Sequence, residues 1–298
     1  MTKYDAREIR ALYDRGENVT RWIQDHEQAD SNSVTAILYS YDAQAGSYVD
    51  ALKDPAARAL KQDLGRELGA LLGNLAPGSL LEAGIGEGTS LAPVLNQMGK
   101  RPAHVLGFDL SLSRLLFARR HLAENGYDSV KLFTGDLDRI PLASESVDVV
   151  LTIHAVEPNR GREKPILSEL LRVARKHLVM VEPSYELASA EARARMDRLG
   201  YVRGLPETLI HLGHPARLIE RWRHNSNPLN EAAVVVVDKA PTETKMDPKF
   251  VSPISGCALI ERSDCWFCPE DGHAFPIIAG IPCLTLENAV LASKLDRF

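Results

Sequence analysis

Behind the apolar run Ser79-Leu80-Leu81, the chain reads Glu82-Ala83-Gly84-Ile85-Gly86-Glu87-Gly88-Thr89-Ser90, with three glycines spaced two apart. Glycine reaches positive φ and lets bare backbone approach a ligand, so the pattern reads as strand, tight turn and helix start. Two carboxylates flank this loop: Glu82, two residues before the first glycine, and Asp109, which closes a second apolar run, His104-Val105-Leu106-Gly107-Phe108. One can face a cationic group and the other can accept a pair of hydroxyls, at about 1.5–3 kcal/mol for each hydrogen bond to a charged acceptor. The register weighs against a dinucleotide, because G-x-G-x-x-G needs a glycine where Thr89 stands.

Further chemistry sits where later apolar runs end. Gly135-Asp136-Leu137 follows Val130–Thr134, His154-Ala155-Val156-Glu157-Pro158-Asn159 follows Ser146–Ile153, and Glu182-Pro183-Ser184-Tyr185-Glu186 follows His177–Val181. His154 is the candidate general base, since imidazole titrates near neutrality; the competing reading is a strand-end histidine tied to backbone. Glu157 and Glu182 suit a cationic amine or sugar hydroxyls, or else they cap helices and pair with cations. Tyr41, Gln44 and Tyr48 lie in a stretch rich in tyrosine and hydrogen-bonding side chains, which either packs helices onto a sheet or faces the ligand.

These residues need a scaffold, and the alternation of apolar runs with helical segments supplies one. Helices are expected over residues 3–30, 54–72, 91–98, from 111 to the stop at Asn125-Gly126, over 164–174 and over 188–199. Strands between them imply a parallel sheet wound on both faces, and ligands of such sheets bind beyond the carboxyl ends of the strands. Residues 217–223 and 232–239 resemble the antiparallel hairpin that closes one family of such folds.

The ordered set of loop, acids and strand ends resembles the class I S-adenosylmethionine-dependent methyltransferases over roughly the first 240 residues. Their first motif is E/D-x-G-x-G-x-G and their second an acid closing the next strand. The resemblance implies a doubly wound, seven-stranded, Rossmann-like α/β sheet with S-adenosylmethionine as cofactor. It assigns cofactor contacts to Glu82, Gly84, Gly86, Gly88, Asp109, Leu110, Asp136, Leu137 and Ile153, with Asp109 on the ribose and Asp136-Leu137 on the adenine. It also implies a helical N-terminal lid that brings Tyr41, Gln44 and Tyr48 to the cofactor, and it sets His154, Glu157 and Tyr185 toward the transferred methyl. The Asn/Asp-Pro-Pro-Tyr/Phe signature and any cysteine are missing from the fourth-strand segment. Methylation of nucleic-acid bases is therefore disfavoured, which leaves oxygen or nitrogen of a small molecule or glycan precursor. The rival from another class is a catalytically silent protein that binds the cofactor and serves as an assembly or regulatory partner.

Of the 298 residues, 45% are hydrophobic and 25% charged, which suits one sizeable domain with an appendage. A net charge of −5 offers no basic excess for nucleic acid. The sequence shows neither an apolar run of membrane-spanning length nor a signal-peptide core at its start, so a cytoplasmic protein without a membrane partner is expected. The organisation expected is a helical cap over 1–73, the cofactor-binding domain over 74–240 and a β-rich module over 247–298, joined through a linker at Ala240–Lys245. All four cysteines, Cys257, Cys265, Cys268 and Cys283, fall in that last module. Phe275–Pro282 resembles the signature of small zinc-ribbon activators of methyltransferases, whose two C-x-x-C pairs align here with Ser252/Ser255 and Cys268/Asp271. Serine hydroxyls are poor stand-ins for thiolates, so no bound metal is expected; the alternative is a rewired site from Cys257, Cys265, Cys268 and His273. Such a module would brace the larger domain or mediate a homodimer.

Overall fold

The computed structural model describes residues 4–240 and 247–297; the expected linker lies, from Pro241 on, outside the described residues. Seven strands form the main sheet: β1 (Ser79–Ala83), β2 (His104–Asp109), β3 (Lys131–Thr134), β4 (Val147–Ile153), β5 (Ala174–Pro183), β6 (Leu218–Arg221) and β7 (Ala232–Asp238). Their order is β3-β2-β1-β4-β5-β7-β6. The first five run parallel, and β7 lies antiparallel between β5 and β6.

Near-continuous apolar strands are the mark of a sheet covered on both faces, and side chains alternate between those faces. Leu80, Val149, Leu151 and Val179 pack in one cluster with side chains of α5 (Pro55–Leu75), α6 (Leu91–Gln97) and α7 (Leu112–Glu124). Leu81, Val150, Leu178 and Met180 pack in the other with α8 (Glu163–Val173) and α10 (Leu205–His211). Helix α10 goes beyond the sequence reading; its mark was Pro206 in a first turn behind Gly204. The strand order reverses between β1 and β4, which opens a crevice at their carboxyl ends.

Ahead of this domain lie α1 (Ala6–Asp14), α2 (Val19–Glu27), α3 (Val34–Ala43) and the short α4 (Ser47–Ala51). The single helix expected over 3–30 is two, because Gly16 turns left-handed and the Asn18 side chain caps α2 at Arg21 N. The tyrosine-bearing stretch is itself helical, as α3 and α4. Ile9, Leu12, Val19, Ile23 and Ala36 give the first three helices a small core of their own.

The C-terminal segment folds into a small antiparallel sheet: β8 (Ile260–Glu261), β9 (Cys265–Cys268), β10 (His273–Ile278), β11 (Ile281–Pro282) and β12 (Val290–Leu291). It docks on the open edge of the main sheet, where Cys283 bridges Thr134 of β3 and Leu284 N donates to Thr134 O at 3.2 Å. Phe108, Phe133, Phe250 and Trp266 form a chain of ring contacts across the junction, and Phe275, Cys268 and Leu284 join the core of the main domain. An unpaired edge strand is thereby covered.

The four positions aligned with ribbon ligands come together. Asp271 Oδ2 accepts from Ser252 Oγ and from Ser255 Oγ, each at 2.6 Å, and Ser255 Oγ lies 3.8 Å from Cys268 Sγ. One thiol, one carboxylate and two hydroxyls do not fit a structural zinc, which wants cysteine and histidine donors. Among the described residues no three His, Cys, Asp or Glu side chains gather so as to hold a metal. Cys265 and Cys268 sit three apart on strand β9, an odd offset that sends them to opposite faces of the sheet.

Candidate active site

The glycine loop leaves β1 at the crevice. Gly84, Gly86 and Gly88 all take positive φ (74°, 57° and 71°). A Cβ on residue 84 would strike Ala155 Cβ, and one on residue 86 would strike the Arg114 guanidinium, so both turn and clearance demand glycine. Beneath the loop, Glu82 is 2% exposed and its Oε2 has no partner among the described residues. Burial raises its carboxyl to about 8, against the opposing pull of Lys61. Lys61, on α5, donates to Ser90 Oγ at 2.7 Å, and burial holds its ammonium below the ordinary value. Asp109 accepts from Gly86 N and Ser111 N, both at 3.0 Å, which ties the end of β2 to the loop.

The helical cap is latched to the same loop. Both oxygens of Glu87 reach across to backbone donors at the start of α4, Gly46 N at 2.9 Å and Val49 N at 2.7 Å. Asp42 of α3 accepts from Ser111 Oγ at 2.6 Å. Tyr41 and Tyr48 thereby come to lie over Arg114 of α7, whose Cζ is 5.2 and 4.8 Å from their ring centres.

At the carboxyl ends of β4 and β5 the buried groups form a network. His154 holds a left-handed backbone (φ 53°), rare for a residue with a Cβ, and its N donates to Val181 O at 2.8 Å. The strain turns the chain so that His154 Nδ1 meets Glu157 Oε2 at 2.7 Å. Asn230, just before β7, donates to the same oxygen at 3.0 Å. Glu182 accepts from Ala155 N at 3.0 Å and Glu157 N at 3.1 Å, which fixes this turn; burial carries its carboxyl to about 7. Burial alone would lower the His154 imidazole, but the hydrogen bond and charge of Glu157 hold it above the ordinary value. Nε2 takes no hydrogen bond among the described residues, which suits it to accept a proton from a ligand in the cavity.

Two cavities share the crevice. One of about 60 Å³ is lined by Phe108, Asp109, Leu110, Asp136 and Leu137, and one of about 200 Å³ by Glu82, Gly86, Lys61, Ile153, Glu157 and Asn230. Tyr41, Gly84, Arg114 and His154 line both. Asp136 also faces Arg162 at 3.0 Å, with burial raising its carboxyl against that pairing. Tyr48 lines the larger cavity. Three expected site residues line neither cavity. Gly88 turns the loop at positive φ and faces Leu122 of α7. Gln44 ends α3 on the side away from the loop, donates to Ser40 Oγ at 3.4 Å and lines a separate cavity with Thr20 and Gln24. Tyr185 turns back onto α9 (Ala190–Leu199), its hydroxyl 3.4 Å from Asp197 and its ring under Arg203, so it lines neither cavity. Lys61, Arg114 and Asn230 are wall residues that the sequence reading passed over. The sign for Arg114 was a cation one turn past the Asp109-Leu110-Ser111 strand end.

Residues 80–198 match the family model described as a methyltransferase domain. Over 95 residues the chain is 32% identical to an arsenite methyltransferase of Halobacterium salinarum, covering 30% of this chain and 24% of that protein. Over 123 residues it is 32% identical to a malonyl-[acyl-carrier protein] O-methyltransferase of Methylovorus, covering 40% of this chain and 39% of the other. The chain thus spans about a quarter and two-fifths of the lengths of these relatives. The crystal structure of a magnesium protoporphyrin IX methyltransferase from Synechocystis, with bound S-adenosylhomocysteine, superposes with a TM-score of 0.53 at 16% identity, covering 70% of this chain and all of that one. That likeness establishes the fold.

Proposed function

We infer that this chain, which carries a class I methyltransferase domain, is an S-adenosylmethionine-dependent methyltransferase acting on oxygen or nitrogen of a small molecule or glycan precursor. The observation that carries the reading is one crevice holding a bare glycine loop, an unpartnered buried carboxylate at Glu82 and a histidine oriented by Glu157. The residues fit the cofactor. Gly84 and Gly86 leave room against the backbone, Glu82 offers a carboxylate oxygen to a cationic amine, and each Asp109 oxygen keeps a lone pair for a ribose hydroxyl. Asp136 and Leu137 border the smaller cavity, where an adenine would lie.

When bound, the cofactor supplies an electrophilic methyl on a sulfonium. Tyr41 and Tyr48 would close over it with the cap and exclude water, while the crevice aligns the acceptor. His154 Nε2 would take the acceptor's proton, with Glu157 holding Nδ1–H and stabilising the imidazolium that forms. This dyad favours turnover over a silent cofactor-binding role. The C-terminal module, with its ribbon resemblance, would act as a built-in brace for the β3 edge, and a homodimer through it is the further assembly we propose.

The test is incubation of the full chain with methyl-labelled S-adenosylmethionine and a cell metabolite extract. Transfer of label with release of S-adenosylhomocysteine, lost in His154→Asn, supports the reading. Calorimetry that shows binding of NAD in place of S-adenosylmethionine would overturn it.

A further inference from the structure

One group in the crevice has no role in methyl transfer so described. Arg114 is 8% exposed, its Nε is buried without a partner, and no side-chain nitrogen of it makes a hydrogen bond among the described residues. Asp109 Oδ2, at 3.7 Å from Nη1, balances the charge from beyond hydrogen-bonding distance. Buried guanidinium groups are otherwise satisfied by several acceptors at once. The group is also held in place: Tyr41 and Tyr48 pack against it, and its Nη2 lies over Gly86, at the junction of the two cavities.

We propose that Arg114 is the recognition point for an oxyanion, a carboxylate or phosphate, on the methyl acceptor. The proposal rests on the methyltransferase reading and names the acceptor's chemical class. A guanidinium fork matches such groups with two parallel hydrogen bonds. The cofactor brings a sulfonium and an ammonium, which Arg114 repels, and one carboxylate. For that carboxylate a second buried cation stands ready, Lys61 beside Ser90, which lines only the larger cavity together with the Glu82 that suits the ammonium. With Lys61 so engaged, Arg114 is left facing the acceptor. A neutral acceptor would leave a buried charge with unfilled donors, whereas an anionic one fills them and offsets the sulfonium.

The two sources of an oxyanion, cofactor and acceptor, are separable with simple probes. The full chain, ¹⁵N-labelled at arginine, is titrated with sodium acetate and with inorganic phosphate, with and without saturating S-adenosylhomocysteine, and the Arg114 Nε–H resonance is followed. Saturable shifts in the presence of S-adenosylhomocysteine are expected from at least one anion. Arg114→Gln should weaken that binding about tenfold or more, with Arg114→Lys between, while S-adenosylhomocysteine affinity changes less than about threefold. The wild-type titration needs no variant, so a misfolded Arg114→Gln leaves the test intact. The proposal is overturned if neither anion moves the Nε–H resonance, if both bind Arg114→Gln as well as wild type, or if Arg114→Gln loses S-adenosylhomocysteine affinity in place of anion affinity. Wild type that binds the anions but not S-adenosylhomocysteine would sink the methyltransferase reading and, with it, the assignment of the anion to an acceptor.

Discussion

Filling the crevice with a cationic ligand should expel a proton from Glu82. Burial puts its carboxyl at about 8 in the empty protein, so at pH 7 about 0.9 of the molecules carry the proton. An ammonium or sulfonium beside the unpartnered Oε2 favours the ionised form, and binding of S-adenosylmethionine at pH 7 should release up to about 0.9 proton from this site. Glu182, at about 7, adds at most about half a proton, but its oxygens are already committed to Ala155 N and Glu157 N. Calorimetry in buffers of different ionisation enthalpy gives the released protons as a slope, and subtraction of the Glu82→Gln slope isolates this residue. The same experiment with S-adenosylhomocysteine, which keeps the ammonium and lacks the sulfonium, tells which cation acts. A slope near zero in wild type, or one unchanged in Glu82→Gln, would refute the placement of Glu82 against the cofactor's charge.

The same carboxyl sets a stability trend: the folded chain keeps its proton between about 4.5 and about 8 where the unfolded chain loses it, so the empty protein should lose stability as pH rises through that window. Melting curves should show a flatter trend in Glu82→Gln. Glu157→Gln removes a hydrogen bond to a charged partner worth about 1.5–3 kcal/mol, and each 1.4 kcal/mol is about tenfold in proton affinity, so the His154 titration should move to lower pH by NMR. In wild type the raised histidine value means that this pair's contribution fades as pH rises through it. Glu87→Ala strands the Gly46 and Val49 N–H groups; hydrogen exchange at residues 45–50 should quicken and cofactor affinity fall, while the sheet stays protected. Asp109→Ala should cost about 2–4 kcal/mol of cofactor affinity by calorimetry, and it also takes an acceptor from Gly86 N and Ser111 N. Asp271→Ala leaves the Ser252 and Ser255 hydroxyls without their common acceptor, and the C-terminal module should become the first part of the chain open to protease.

What the sequence disclosed follows the range of the interactions. Strand β1, the glycine loop and Asp109 are written in one short stretch and one following strand, where a continuous apolar run, positive φ and a strand-end acid are all local requirements, and local requirements leave local marks. Tyr41 and Gln44 show the limit. Three residues apart at the end of α3, they looked equivalent, yet the latches at Glu87 and Asp42 turn the tyrosine into the crevice while Gln44 stays with Ser40. Tyr185 had the right strand-end position, but a nearby acid and arginines on and after α9 drew it away from the cavity. Lys61 and Asn230 belong to the site only through tertiary contacts across 29 and 73 residues, to Ser90 and Glu157. No period or motif marks such residues.

The electrostatics of the crevice join these late recruits to the motif residues. A neutral Glu82 and a depressed Lys61 are the two halves of one cost, that of burying a carboxylate and an ammonium together without a direct hydrogen bond. Close contact between them would have relieved both, and would have closed the space between loop and α5. With Lys61 held on Ser90 and Glu82 Oε2 unpartnered among the described residues, the larger cavity presents a cation and a carboxyl that a zwitterion can engage together. An ammonium beside Glu82 favours its ionised form, so part of a cationic ligand's binding energy goes into releasing that proton. Arg114, whose Nε has no partner among the described residues, would extend the same logic to the anion proposed for the second reactant.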